Sequence, residues 1–202
     1  EGECQGELPE YVVNTNAPYA IISLQKAFIN QVKSYTISFW INPTSTSGGV
    51  IYVTTPQGNS CSIFNIGQSS GSLYVNTWNQ NLAGNWEGWS SNPSLMPNIW
   101  QFVAITLYNG GVGTGTFAAY LDGSPLSGSG VVQEVNQSPT SRTDFIGATF
   151  SSCSNGNPPA SEFPGDIANV QIYNTSLSAS EIQALYQEGI GGAPIDLQHL
   201  VG

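Results

Sequence analysis

Tyr35-Thr-Ile-Ser-Phe-Trp-Ile-Asn-Pro43 (YTISFWINP) places Ile37, Phe39 and Ile41 at every second position, with Thr36, Ser38 and Trp40 between them. A period of two puts the first set on one side of an extended chain and the second set on the other. Val103, Ile105 and Leu107 repeat the pattern inside 99–108 (IWQFVAITLY). Both stretches read as half-buried strands of an antiparallel sheet.

Outward from these two, strand-like runs recur between turn signals. They fall at 11–13, 19–24, 49–55, 61–67, 72–78, 85–90, 115–122, 131–134, 143–148 and 166–173. Asn109-Gly110-Gly111 and Asp122-Gly123 read as hairpin turns, because these residues accept positive φ at low cost. This assigns Asp122 to a turn and not to a site. Residues 151–165 (SSCSNGNPPASEFPG) read as an irregular surface loop. One helix is expected: Ser178-Ala-Ser-Glu181 has the form of a capping box, Ile182, Leu185 and Tyr186 follow at helical spacing, and Gly189 ends the run. Many strands and one short helix near the C-terminal end predict an all-β, antiparallel two-sheet sandwich. Residues 1–10 form an acidic arm, 11–190 the folded domain, and 191–202 a flexible linker toward a following segment. The opening Glu-Gly-Glu-Cys without Met reads as a processed start.

The chain has 202 residues, 3 Lys+Arg against 13 Asp+Glu, and a net charge of −10. Three cations cannot neutralise a row of phosphates, which argues against nucleic acid. The same shortage argues against direct contact with an anionic membrane. No run approaches the length of a membrane helix. With 40% hydrophobic and 11% aromatic residues the chain can bury a core. Its polar surface is built from Ser, Asn and Thr, with 23 Gly and 12 Pro in the turns. That composition suits a protein working outside the cell. So few cations (Lys26, Lys33, Arg142 and His199) also limit self-repulsion in acid, an expectation of tolerance to low pH.

Cys4, Cys61 and Cys153 are an odd set without a CxxC pair or a Cys/His cluster, which argues against structural zinc. In an oxidising compartment Cys61–Cys153 is the first candidate disulfide. A bond from Cys4 to either of them, or three free thiols, are the alternatives. Asn136-Gln-Ser138 and Asn174-Thr-Ser176 are glycosylation acceptor patterns that matter only in a glycosylating host.

Four motifs in order resemble the laminin-G-like, concanavalin A-like jelly rolls. They are Tyr35–Pro43; Asn98-Ile-Trp-Gln-Phe-Val-Ala-Ile-Thr106, similar to "N-x-W-x-x-V-A"; Tyr120-Leu-Asp-Gly123, similar to "Y-x-D-G"; and Phe163–Tyr173 followed by Leu177-Ser-Ala-Ser-Glu181. The resemblance spans about residues 11–190 and speaks for the fold, not for one function. It implies a jelly roll with a concave and a convex face, and Trp40 and Trp100 at or near the core. Many relatives hold a structural calcium ion, using backbone oxygens near the first strand and an acidic pair in the closing strand. Here that pair is Ala168-Asn169, so the ligand set does not carry over directly. Asp166 and Asn169, with Asn14 and Asn16 in the first loop, are the candidate calcium ligands. Glycosidases of this fold use a tight E-x-D-x-(x)-E strand. No such run exists, and Glu87, Glu134, Asp144 and Glu162 stand singly. The single His199 lies in the linker and offers no base for a catalytic triad. A non-enzyme is therefore expected.

The segment 73–89 (LYVNTWNQNLAGNWEGW) holds Trp78, Trp86 and Trp89 among amides. An indole face stacks on the C–H side of a sugar while amides and carboxylates bond its hydroxyls. Trp86 and Trp89, with Glu87, Asn85 and Asn81, form the candidate glycan site. The other reading is ordinary core packing, to which Trp78 is assigned. Trp86 and Trp89 have opposite parity, so a regular strand exposes one of them. The expectation is an extracellular, non-catalytic recognition module for glycan on a cell-surface protein. The alternative is a structural spacer or a domain adhering to another surface protein.

Overall fold

The computed structural model describes residues 13–14, 22–24, 33–56, 64–79, 85–111, 113–133, 142–147, 149–150 and 159–190. In chain order the strands are β1 (Val13–Asn14), β2 (Ile22–Leu24), β3 (Tyr35–Pro43), β4 (Val50–Pro56), β5 (Phe64–Ser69), β6 (Ser72–Asn79), β7 (Asn85–Ser91) and β8 (Gln101–Tyr108). They continue with β9 (Thr116–Leu121), β10 (Ser124–Pro125), β11 (Gly128–Gly130), β12 (Arg142–Ile146), β13 (Thr149–Phe150), β14 (Pro159–Ala160) and β15 (Gly165–Tyr173). Helix α1 (Ala179–Glu188) follows. One sheet has six strands in the order β1-β15-β3-β8-β9-β10. The other has seven, β11-β7-β6-β5-β4-β12-β2, and β13 pairs with β14. All these pairings are antiparallel.

The alternating apolar residues of β3 set the first layer of the core. Ile37 lies opposite Ile105 and Phe39 opposite Val103. With Ile66, Leu73 and Val75 of the facing sheet they form a continuous buried cluster. The second set of β3 residues is buried as well, which the expectation of half-buried strands did not include. Trp40, Phe102, Ala104, Tyr120 and Ala168 form a second cluster with Leu177, Ile182 and Leu185. Helix α1 therefore covers the outer face of the six-stranded sheet, and Tyr186 stacks on Trp40 with ring centroids 5.9 Å apart. Trp40 is buried and Trp100 packs partly buried against the same cluster, as the resemblance implied. Thr36 joins strand and helix lead-in: its hydroxyl donates to the Thr175 carbonyl at 2.8 Å and accepts from the Leu177 N–H at 2.9 Å.

The helix begins as its sequence specifies. The Ser178 hydroxyl accepts from the Glu181 N–H, and the Glu181 carboxylate accepts from the Ser178 N–H at 3.0 Å. Gly189 closes it at φ 81°. Asn109 and Asp122 both take positive φ at their turns. The Asp122 carboxylate also accepts from the Phe102 N–H at 2.8 Å, a structural task.

Two expectations need correction. Residues 131–133 are not a strand, and the strand of this region is the glycine-rich β11 just before it. Gly128-Ser-Gly130 carries no alternating apolar pattern. It pairs because β11 runs so close to β7 that a Cβ on Gly130 would meet the Trp89 Cα at 2.8 Å. Of the segment 151–165, the described part, 159–165, is not a surface loop: Pro159–Ala160 is a strand, Phe163 is fully buried, and Val50 bridges to Glu162. Residues 151–158 lie outside the described residues, as do Cys4, Cys61 and Cys153, the arm at 1–10 and the linker at 191–202.

Candidate functional site

Strand alternation separates the two faces of the seven-stranded sheet. In β6, Leu73 and Val75 enter the core, so Tyr74 and Asn76 take the outer face. In β7, Trp89 enters the core, so Gly88 and Ser90 take the outer face. The pairing registers then draw rows across this face. One runs Val53–Asn65–Asn76–Gly88 and the next Val50–Gly67–Tyr74–Ser90. Trp78 and Trp86 are partners in a third row beside the first, about 7 Å further along the strands.

The two inner rows, with Ser161, line an open cleft of about 420 Å³. That volume lies within the range of small-molecule sites, about 300–1,000 Å³. Two glycines keep its floor low. A Cβ on Gly67 would overlap the hydroxyl end of the Tyr74 ring, and one on Gly88 would stand 2.6 Å from the Asn76 Oδ1. Tyr74 and Asn76 thus lean over neighbouring strands that carry no side chain there. The Asn76 Nδ2 donates to the Asn65 Oδ1 at 3.3 Å, which orients both amides. Tyr74 is half-buried, and burial raises its hydroxyl pKa above the usual 10.0. The cleft therefore offers neutral amides and hydroxyls and part of an aromatic ring, while its two valines, Val50 and Val53, are buried. No carboxylate is among its lining residues.

The glycan candidates of the sequence do not stay together. Trp89 is a core residue, 8% exposed, with its ring 5.1 Å from that of Phe117, and is corrected as a sugar platform. Glu87 shares the parity of Trp89, and its Oε2 accepts from the Gln133 N–H at 3.0 Å. Asn85 has the same parity as Glu87, whereas Trp86 falls on the register of Gly88 and Ser90. Asn81 lies outside the described residues. Tyr74, Asn65, Asn76 and Ser90 line the cleft together because pairing across strands, not nearness in sequence, brings them side by side. The available signal was the outward parity of Tyr74 and Asn76 around the core residues Leu73 and Val75.

The calcium candidates stay together only in part. Asn14 and Asp166 are direct partners between β1 and β15. Asn169 stands three residues on, inside the irregularity between Ala168 and Gln171, and its Oδ1 accepts from the Gln171 Nε2 at 2.9 Å. It lines a crevice with Leu185 and Glu188 of α1. Ala168, at the position where the resemblance implies an acid, is buried in the apolar cluster beneath the helix. Asn16 lies outside the described residues. Among the described residues no three acidic, His or Cys side chains converge to hold a metal. The residues at the acidic-pair position thus do not fit the ion of the relatives. No helix among the described residues is long and apolar enough to cross a membrane.

The fold is shared with solved structures of low sequence identity. A native heptameric SAP-like pentraxin from Limulus polyphemus superposes with a TM-score of 0.65 at 16% identity, covering 90% of this chain and 83% of that one. The CBM40 of the Ruminococcus gnavus IT-sialidase, solved with alpha2,3 sialyllactose, gives 0.59 at 12% identity, covering 84% and 100%. Domains LG4-5 of the mouse laminin alpha1 chain give 0.56 at 14% identity, covering 84% of this chain and 42% of that one. No curated protein sequence matches the chain. The sheets, the closing strand and the capped helix agree with a family match over residues 14–183, so the chain belongs to the concanavalin A-like lectin/glucanases superfamily, of laminin-G type.

Proposed function

We propose that this domain is an extracellular, non-catalytic carbohydrate-binding module whose sugar seat is the outer face of β4–β7. The observation that carries this reading is the cleft itself, in which oriented amides and a tyrosine lie over a glycine floor. Sugar recognition divides between an apolar surface and a few placed hydrogen-bonding groups. Tyr74 supplies part of the first, and the β6–β7 register continues from these rows to the pair Trp78 and Trp86. Asn65, Asn76 and Ser90 supply the second. The lining of the cleft also supports a non-enzyme. Glycoside hydrolysis needs two carboxyl groups flanking the scissile bond, and the lining residues include none. Recognition of a sialylated glycan by the Ruminococcus gnavus domain is a precedent for glycan binding on this fold.

Titration with a glycan panel, read by calorimetry, tests the reading. Asn76→Ala and Trp86→Ala should each weaken a bound glycan by about 5- to 30-fold, the equivalent of about 1–2 kcal/mol. Trp89→Ala should instead destabilise the fold by about 3–5 kcal/mol in urea titration, because it empties a core site. A second reading, adhesion to another surface protein, draws on Met96 and Ile99, which are 60% and 50% exposed before β8. Silence across the whole panel, with a protein partner still captured and that capture lost in Met96→Asp, would replace the first reading by the second.

A further inference from the structure

We infer that the cleft accepts uncharged glycans and rejects sialylated, sulfated or uronate-bearing ones, an inference that rests on the carbohydrate reading above. The fold does not decide this, since the Ruminococcus gnavus domain was solved with an acidic sugar. The rows of this chain do. Neither inner row nor the Trp78–Trp86 row contains a lysine, arginine or histidine. The chain has only three Lys+Arg in all. Lys33 is placed with the six-stranded sheet, where its carbonyl accepts from the Gly110 N–H. Arg142 is the first residue of β12, in register with Pro56 at the end of β4 and not with a residue of either inner row. Lys26 lies outside the described residues. The charged residue adjoining the lining is an acid, Glu162, next to Ser161.

An anionic sugar entering this cleft gives up hydration and meets no cation, on a domain of net charge −10. A neutral hydroxyl exchanges water for the amides of Asn65 and Asn76, the Ser90 hydroxyl or the Tyr74 phenol with little net cost. Burial keeps that phenol protonated above the pH where a free one ionises, so the donor set stays neutral through the physiological range.

The test is an array in which each neutral oligosaccharide core also appears in sialylated and sulfated form, probed with the intact chain at about 20 mM and 500 mM NaCl. The expected result is binding of at least one neutral core, changed less than about twofold by salt, with its acidic forms held about tenfold or more weakly. An acidic form bound more tightly than its own core, or binding lost in high salt, would overturn the inference and leave the carbohydrate reading standing. Absence of binding to every glycan, with the fold intact by circular dichroism, overturns both.

Discussion

Gly67 shows how much of the site depends on a missing side chain. It is buried in β5, with the Tyr74 ring filling the space where a Cβ would stand. Gly67→Ala must push that ring away from its strand. It should lower stability by about 1–3 kcal/mol in urea titration and weaken glycan binding by about tenfold. Gly48→Ala is the matched control, because nothing lies within 4 Å of its added Cβ. Equal behaviour of the two variants would remove Tyr74 from the site. At this scale the sequence was informative about parity and misleading about grouping. The opposite parity of Trp86 and Trp89 follows from residue spacing alone. That Asn65 and Asn76 are partners required the β5–β6 register, and no local pattern encodes it.

Among the elements, α1 was the most legible, because its start signal is local and chemical. The capping box needs only four consecutive residues, and its bonds form as the spelling implies. Ser178→Ala should cost about 1 kcal/mol of folding stability, measured by denaturant midpoint, while Ser180→Ala changes it by less. The central strands were legible through their period of two. The β11 strand was not, because glycines chosen for close approach look the same as glycines chosen for a turn. Double burial of β3 was hidden for a different reason: Thr36 and Ser38 are polar yet fully buried, Thr36 bonded to the helix lead-in at Thr175 and Leu177 and Ser38 in the crevice beside Leu185 and Glu188. Of the candidate calcium ligands only Asp166, in register with Asn14 at the β1–β15 pairing, is an acid. Calcium at about 5 mM should therefore raise the melting temperature over chelator by no more than about 2 °C, the effect of a weakly held ligand. A larger rise that vanishes in Asp166→Asn would place a tight calcium ion at that pairing.

At the scale of the whole molecule, alkaline pH probes how well the core is sealed. Tyr35 is 2% exposed, edge-on to Phe64, and burial pushes its pKa far above the usual 10.0. A pKa raised on folding means that this contribution is complete below pH 10 and is lost as pH climbs beyond it, when only the unfolded chain readily ionises. Thermal melts should decline steeply above pH 10 in the parent and less steeply in Tyr35→Phe. Identical slopes would mean that water reaches the ring.

The docking of α1 on one sheet has a consequence for how the domain can be mounted. Residues 13 and 190, the outermost positions described, both belong to the helix-clad half of the sandwich. A tether joined at either place grips the back of the molecule. The face that carries the cleft is then turned away from the point of attachment, like a palm held out from the wrist, without any hinge being needed to aim it.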